Sequence, residues 1–118
     1  MSVRRVVPDV QVASPEALAA SREFYASLGL EEVMDLGWVV TLAAPGNPTA
    51  QITLATRDES AALVPDISIE VGDVDAAHAA VVATGARIVH ELRDEEWGVR
   101  RFFALDPNGR VINVVSHQ

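Results

Sequence analysis

RRFFALDPNGRVINVVSH, Arg100 to His117, holds two apolar runs on either side of Asp106-Pro107-Asn108-Gly109. Pro, Asn and Gly in that order preset a tight reversal, so the stretch predicts two antiparallel strands, Arg101 to Leu105 and Val111 to Val115. The second strand carries Asn113 in its middle. A polar amide inside an apolar strand is there for what it faces, and alternation puts Val111 and Val115 on the same side.

Working back towards the N-terminus, the chain is written twice. Val7-Pro8-Asp9-Val10-Gln11-Val12 returns as Val64-Pro65-Asp66-Ile67-Ser68-Ile69. A helix-start signal follows each copy: Ser14 with Pro15 at the first helical position, then Asp73. Each helix ends before a glycine, Gly29 or Gly85, suited to a left-handed cap. Leu18, Ser21, Phe24, Tyr25 and Leu28 are expected on one face of the first helix, and Val74, Ala77, Val81 and Thr84 on one face of the second. Short strands follow at Glu32-Val33 and at Arg87 to Val89. The first copy closes with strands over Trp38 to Ala43 and Gln51 to Thr56, joined through Pro45-Gly46-Asn47-Pro48. Each half thus reads β-α-β-β-β. Residues 1–58 form the first module and 64–118 the second, with a linker over residues 57–64 and a single gained or lost residue between the copies.

One helix covers only one face of a four-stranded sheet. The other face must meet a second copy, a ligand or solvent. The expected architecture is α+β: tandem modules joined in a curved, cup-like mixed sheet, helices outside and the pocket inside.

Composition narrows the function. The 118 residues are 49% apolar, which suits one compact domain or two small modules sharing a core. A net charge of -8 repels polyanions, which argues against nucleic acid. No apolar run reaches the roughly 20 residues needed to span a bilayer. The arginines of "MSVRRVV" precede no long apolar stretch, so no signal peptide is expected and the chain is assigned to the cytoplasm. There is no Cys, which excludes disulfides and thiolate chemistry. All nine basic residues are Arg, which excludes a Schiff-base or P-loop lysine.

"SREFYASLGL" (Ser21 to Leu30), "DISIEVGDVDAA" (Asp66 to Ala77) and "WGVRRFFALDPNGRVINVV" (Trp97 to Val115), in that order on a paired pattern, resemble the vicinal oxygen chelate superfamily. That superfamily includes glyoxalase I, extradiol dioxygenases, and fosfomycin-, bleomycin- and mitomycin-resistance proteins. The resemblance implies a homodimer. It also implies a divalent metal in the cup, held by a His on the first strand and a Glu on the last strand of each module. The matching positions here are Asp9 and Asp66 on the first strands and Thr53 and Asn113 on the last. No His is among them, and two Asp, a Thr and an Asn suit a weakly held hard cation better than a transition metal.

Alternation assigns the rest of the lining. Ser68 and Glu70 follow Asp66, Gln11 follows Asp9, Gln51 lies in phase with Thr53, and Arg101 and Phe103 come from the preceding strand. Trp38 and Trp97, the only two tryptophans, are candidates to stack on a planar ligand. Ligand-binding candidates are therefore Gln11, Trp38, Gln51, Thr53, Ser68, Trp97, Arg101, Phe103 and Asn113. The plainer reading is a polar groove or a packed interface. Arg101 is expected to pair with Asp66 or Glu70. "ELRDEE", Glu91 to Glu96, reads as a solvated loop or lid; His90 lies beside it, His78 on an exposed helix face, His117 near a frayed end.

The expected function is metal-free binding of a small, planar organic molecule, as in drug or metabolite sequestration. The alternative is a lyase, isomerase or dioxygenase relative using an atypical oxygen-ligand metal, or Asp9 and Asp66 as an acid/base pair. A regulatory module with a filled cup is the third reading.

Overall fold

In the computed structural model, which describes residues 2–118, eight strands and two helices run β1 (Val3–Gln11), α1 (Pro15–Ala26), β2 (Glu31–Asp35), β3 (Val39–Ala44), β4 (Asn47–Ala55), β5 (Ile67–Val71), α2 (Val74–Ala83), β6 (Ile88–Asp94), β7 (Val99–Leu105) and β8 (Val111–His117). This is the α+β, twice-written β-α-β-β-β order expected from the repeat. The chain divides into two compact units, Val7–Val64 and Pro65–Gln118, the latter joined by the N-terminal residues through Val6. The division therefore falls inside β1, between Val6 and Val7.

In the first unit the strand order is β2-β3-β4-β1. The last pair is parallel, with Asp9 opposite Thr53, and the others are antiparallel. Ser14 caps α1 by accepting from the Ala17 N–H at 3.1 Å, with Pro15 in the first turn. The helix packs Leu18 against Val12, Val40, Leu42 and Leu54. Tyr25 joins that core, but Phe24 and Leu28 do not: they stay 62% and 70% exposed. A twelve-residue helix over a narrow sheet buries only a thin stripe, so positions at its edge remain in water.

The second unit repeats the plan, β5-β8-β7-β6, with β5 and β8 parallel. Asp73 caps α2 through the Ala76 N–H at 3.0 Å. Val74, Ala77 and Val81 of the helix meet Val71, Phe102, Ala104 and Val114, while Thr84 is an exposed cap. The Asp106 turn closes as its residues predict. Asp106 Oδ1 accepts from the Asn108 and Arg110 N–H groups at 2.8 and 2.9 Å, and Gly109 supplies the positive φ of 79°. The Arg110 and Asn108 amides outweigh desolvation and hold the Asp106 carboxyl below its ordinary pKa.

β6 is longer than expected. "ELRD" is its end, not a loop, and only Glu95 to Gly98 turn the chain. Glu95 N–H donates to Val99 O at 2.7 Å, and Gly98 takes φ 97°. The tight turn draws Glu95 inward, leaving it 7% exposed.

Candidate functional site

The polar cluster belongs to the face of the second unit turned away from α2. Helix-side residues alternate as Ile69 and Val71, Phe102 and Ala104, Ile112 and Val114. Their neighbours on the opposite face are Ser68 and Glu70, Arg101 and Phe103, Asn113 and Val115. This is the lining read from alternation.

Glu95 is the hub. Its Oε1 accepts from His90 Nε2 at 2.6 Å, from Arg93 Nε at 3.2 Å and from Arg101 Nε at 3.2 Å. The expected pairing of Arg101 with Asp66 or Glu70 is thus replaced by one with Glu95, because the tight turn delivers that carboxylate into the face. Burial pushes the Glu95 carboxyl up, but the hydrogen bonds from His90, Arg93 and Arg101 win and hold it down at about 2. It is a fixed anion at neutral pH, built to position Arg101 rather than to exchange a proton.

Arg101 is also held from both sides by rings. Its Cζ lies 5.0 Å from the Trp97 ring centroid and 4.7 Å from that of Phe103. His90 adds a further ring, 4.7 Å from Phe103. Indole, guanidinium, phenyl and imidazole form a succession of flat groups. Trp97, at the open end, is half-buried, whereas Phe103 is wholly buried. Such cation–π contacts strengthen when desolvated, and they fix the guanidinium plane.

Asn113 sits between Ser68 and Phe103 in the register. Its Nδ2 donates to Ser68 Oγ at 3.0 Å, while its Oδ1 is buried without a partner. Asp66 closes the end of β5: its Oδ2 accepts from the Val111 N–H at 2.8 Å, and its own N–H donates to Val111 O at 2.8 Å. Glu70 accepts from His117 Nδ1 and pairs with Arg5 at 3.3 Å, so His117 is the anchored end of β8 rather than a frayed tail. His78 is not simply exposed: its Nε2 is buried, and its ring meets Phe102 edge-on at 4.9 Å.

In the first unit, Asp9, Thr53 and Thr41 lie in one cross-strand row, with Thr53 Oγ1 3.2 Å from Thr41 Oγ1. Gln51 Nε2 donates to Pro48 O at 2.8 Å. Gln11 is exposed at the end of β1, and Trp38 is half-buried just before β3. Thr53 and Gln51 are therefore tied to their own module by local bonds.

The four positions where the resemblance expects metal ligands hold Asp9, Thr53, Asp66 and Asn113. Asp66, Thr53 and Asn113 spend their polar atoms on Val111, Thr41 and Ser68. Among the described residues no three His, Asp or Glu side chains gather as a metal-binding group. This donor set does not fit a transition metal. Sequence reasoning missed Glu95, since composition alone marks "DEE" as solvated. The available signal was Gly98, a turn residue that shortens the loop.

A family model described as the Glyoxalase/Bleomycin resistance protein/Dioxygenase superfamily matches residues 12–114. The chain belongs to that superfamily. Among solved structures it is similar to a member of the superfamily from Vibrio splendidus, at 17% identity and TM-score 0.65, covering 99% of this chain and 100% of that one. It is also similar to methylmalonyl-CoA epimerase from Mycobacterium tuberculosis, at 24% identity and TM-score 0.64, covering 98% and 87%. The Mn(II)-bound glyoxalase from Novosphingobium aromaticivorans aligns at 25% identity and TM-score 0.64 over 97% of this chain and 38% of that longer one. No curated protein sequence matches significantly. The superfamily spans several chemistries, so membership gives the fold and leaves function to the site.

Proposed function

We propose that this superfamily member binds a small, planar organic molecule without a catalytic metal, sequestering a drug or metabolite as a cytoplasmic homodimer. The observation that carries the reading is the row of flat groups ending in half-buried Trp97: Arg101 is 5.0 Å from its ring, then Phe103, then His90. A planar ligand extends that row by stacking on the indole, gaining apolar contact without a directional bond. Glu95 supports the reading from behind, since it neutralises Arg101 and holds its plane. Ser68 and Asn113 supply polar contacts on the same face, and the Asp66 carboxylate, bonded to the Val111 amide, is occupied with structure.

The test joins two titrations on tag-free protein. A panel of planar aromatic compounds is added while Trp fluorescence is followed, and Mn, Fe(II), Ni, Zn and Mg are titrated by calorimetry. The expected result is saturable quenching at micromolar ligand and no metal uptake. Metal binding near one ion per chain, lost in Asp66→Ala, would make the protein a metalloenzyme candidate instead. Turnover lost in both Asp9→Asn and Asp66→Asn would favour a metal-free acid/base enzyme.

A further inference from the structure

Asn113 is 6% exposed, yet one end of its amide has no partner. Its Nδ2 donates one N–H to Ser68 Oγ at 3.0 Å, and Oδ1 accepts nothing. A primary amide offers two donors and an acceptor with two lone pairs, so a single bond leaves most of its capacity unused. A buried acceptor without a donor destabilises a fold, and a leucine of similar volume would fill the same space without that cost. The strand around it, Val111-Ile112-Asn113-Val114-Val115, is otherwise apolar. The face it shares holds the Trp97, Arg101 and Phe103 succession, and Phe103 is its register partner on β7.

Resting on the planar-ligand reading, we infer that Asn113 Oδ1 is a ligand-specificity acceptor. It takes a hydrogen bond from a ring-borne N–H of the planar molecule. The class assigned is a fused heteroaromatic lactam or imide, flat enough to stack beside Trp97 and carrying its N–H in the ring plane. A neutral donor suits the site. The Glu95 carboxylate is already saturated by His90, Arg93 and Arg101, so the unfilled valence on this face is the neutral amide oxygen. A site built to accept from a ligand N–H rejects the analogue that lacks it, because the buried acceptor is then left without a donor.

The experiment compares 2-quinolinone with N-methyl-2-quinolinone by calorimetry against the wild-type protein, and measures the thermal stability of Asn113→Leu. 2-Quinolinone is expected to bind about tenfold or more tighter than its N-methyl analogue, the scale of one buried hydrogen bond made or missed. In Asn113→Leu that preference collapses, while the melting temperature of the ligand-free protein rises, because the unpartnered oxygen is gone. A merely structural asparagine gives the opposite sign, a lower melting temperature. Equal binding of the two compounds overturns this inference and leaves the planar-ligand reading standing. Binding of neither overturns both. The wild-type comparison needs no variant, so it decides the matter even if Asn113→Leu does not fold.

Discussion

Glu95 and Arg101 are both almost wholly buried, with side chains 3% and 2% exposed, and Glu95 Oε1 accepts from Arg101 Nε at 3.2 Å. They come from the turn and the strand of one hairpin, so the ion pair pins the β6–β7 connection to the sheet face it borders. Replacing such a pair with apolar groups can be neutral, but removing one partner leaves a charge buried without compensation.

Glu95→Gln is therefore expected to destabilise the fold by about 3 kcal/mol at neutral pH. Urea denaturation followed by far-UV circular dichroism measures it. A loss no larger than a surface substitution would show that Arg101 does not depend on this carboxylate.

The same pair sets an acid sensitivity. Hydrogen bonds from His90, Arg93 and Arg101 outweigh desolvation and lower the Glu95 carboxyl from 4.5 to about 2. A carboxyl whose folded pKa lies below its unfolded one stabilises the fold fully above the unfolded value, and that contribution disappears as pH falls through the folded one. Wild-type stability should therefore fall between about pH 4.5 and about pH 2 more steeply than that of Glu95→Gln. Parallel slopes across that window would contradict the depressed carboxyl.

Trp97→Phe should remove most of the fluorescence change on binding a planar ligand and weaken binding by about tenfold, since phenyl offers a smaller face to ligand and to Arg101. Trp38→Phe should keep most of the signal. The comparison is a pair of quenching titrations, and an unchanged signal in Trp97→Phe would move the stacking surface elsewhere.

His78 Nε2 is buried without a hydrogen-bond partner beside the Phe102 ring. His78→Leu should raise stability by about 1 kcal/mol at neutral pH, because a desolvated nitrogen is exchanged for hydrocarbon. Thermal melts decide it, and a lower melting temperature would mean that the ring packs better than leucine against Phe102.

The reversal at Asp106 to Gly109, both helix starts and the twice-written strand order were legible because each depends on a few neighbouring residues. Ser14 and Asp73 accept from amides three residues ahead, and Asp106 from amides two and four ahead. The polar face was legible for the same reason: strict alternation carries Ser68, Arg101, Phe103 and Asn113 to one side wherever the strands stay regular.

Where the strand is irregular, local reading loses its hold. Register shifts in β6 on either side of His90 break the alternation that would place His90 and Arg93. Arg101 was given the wrong partner because proximity along a face was judged from β5, while the nearer carboxylate comes from the turn next door. His117 looked like a loose end because its partners, Glu70 and Arg5, lie far away in sequence. The sequence alone determined the modules, the caps, the superfamily resemblance and which strand residues face away from the helix, all consequences of short-range geometry and period-two alternation. Only the tertiary structure decided that Glu95 is buried, that it claims Arg101, and that Asn113 keeps an unpaired oxygen, because desolvation and hydrogen-bond completion depend on what the whole chain brings together.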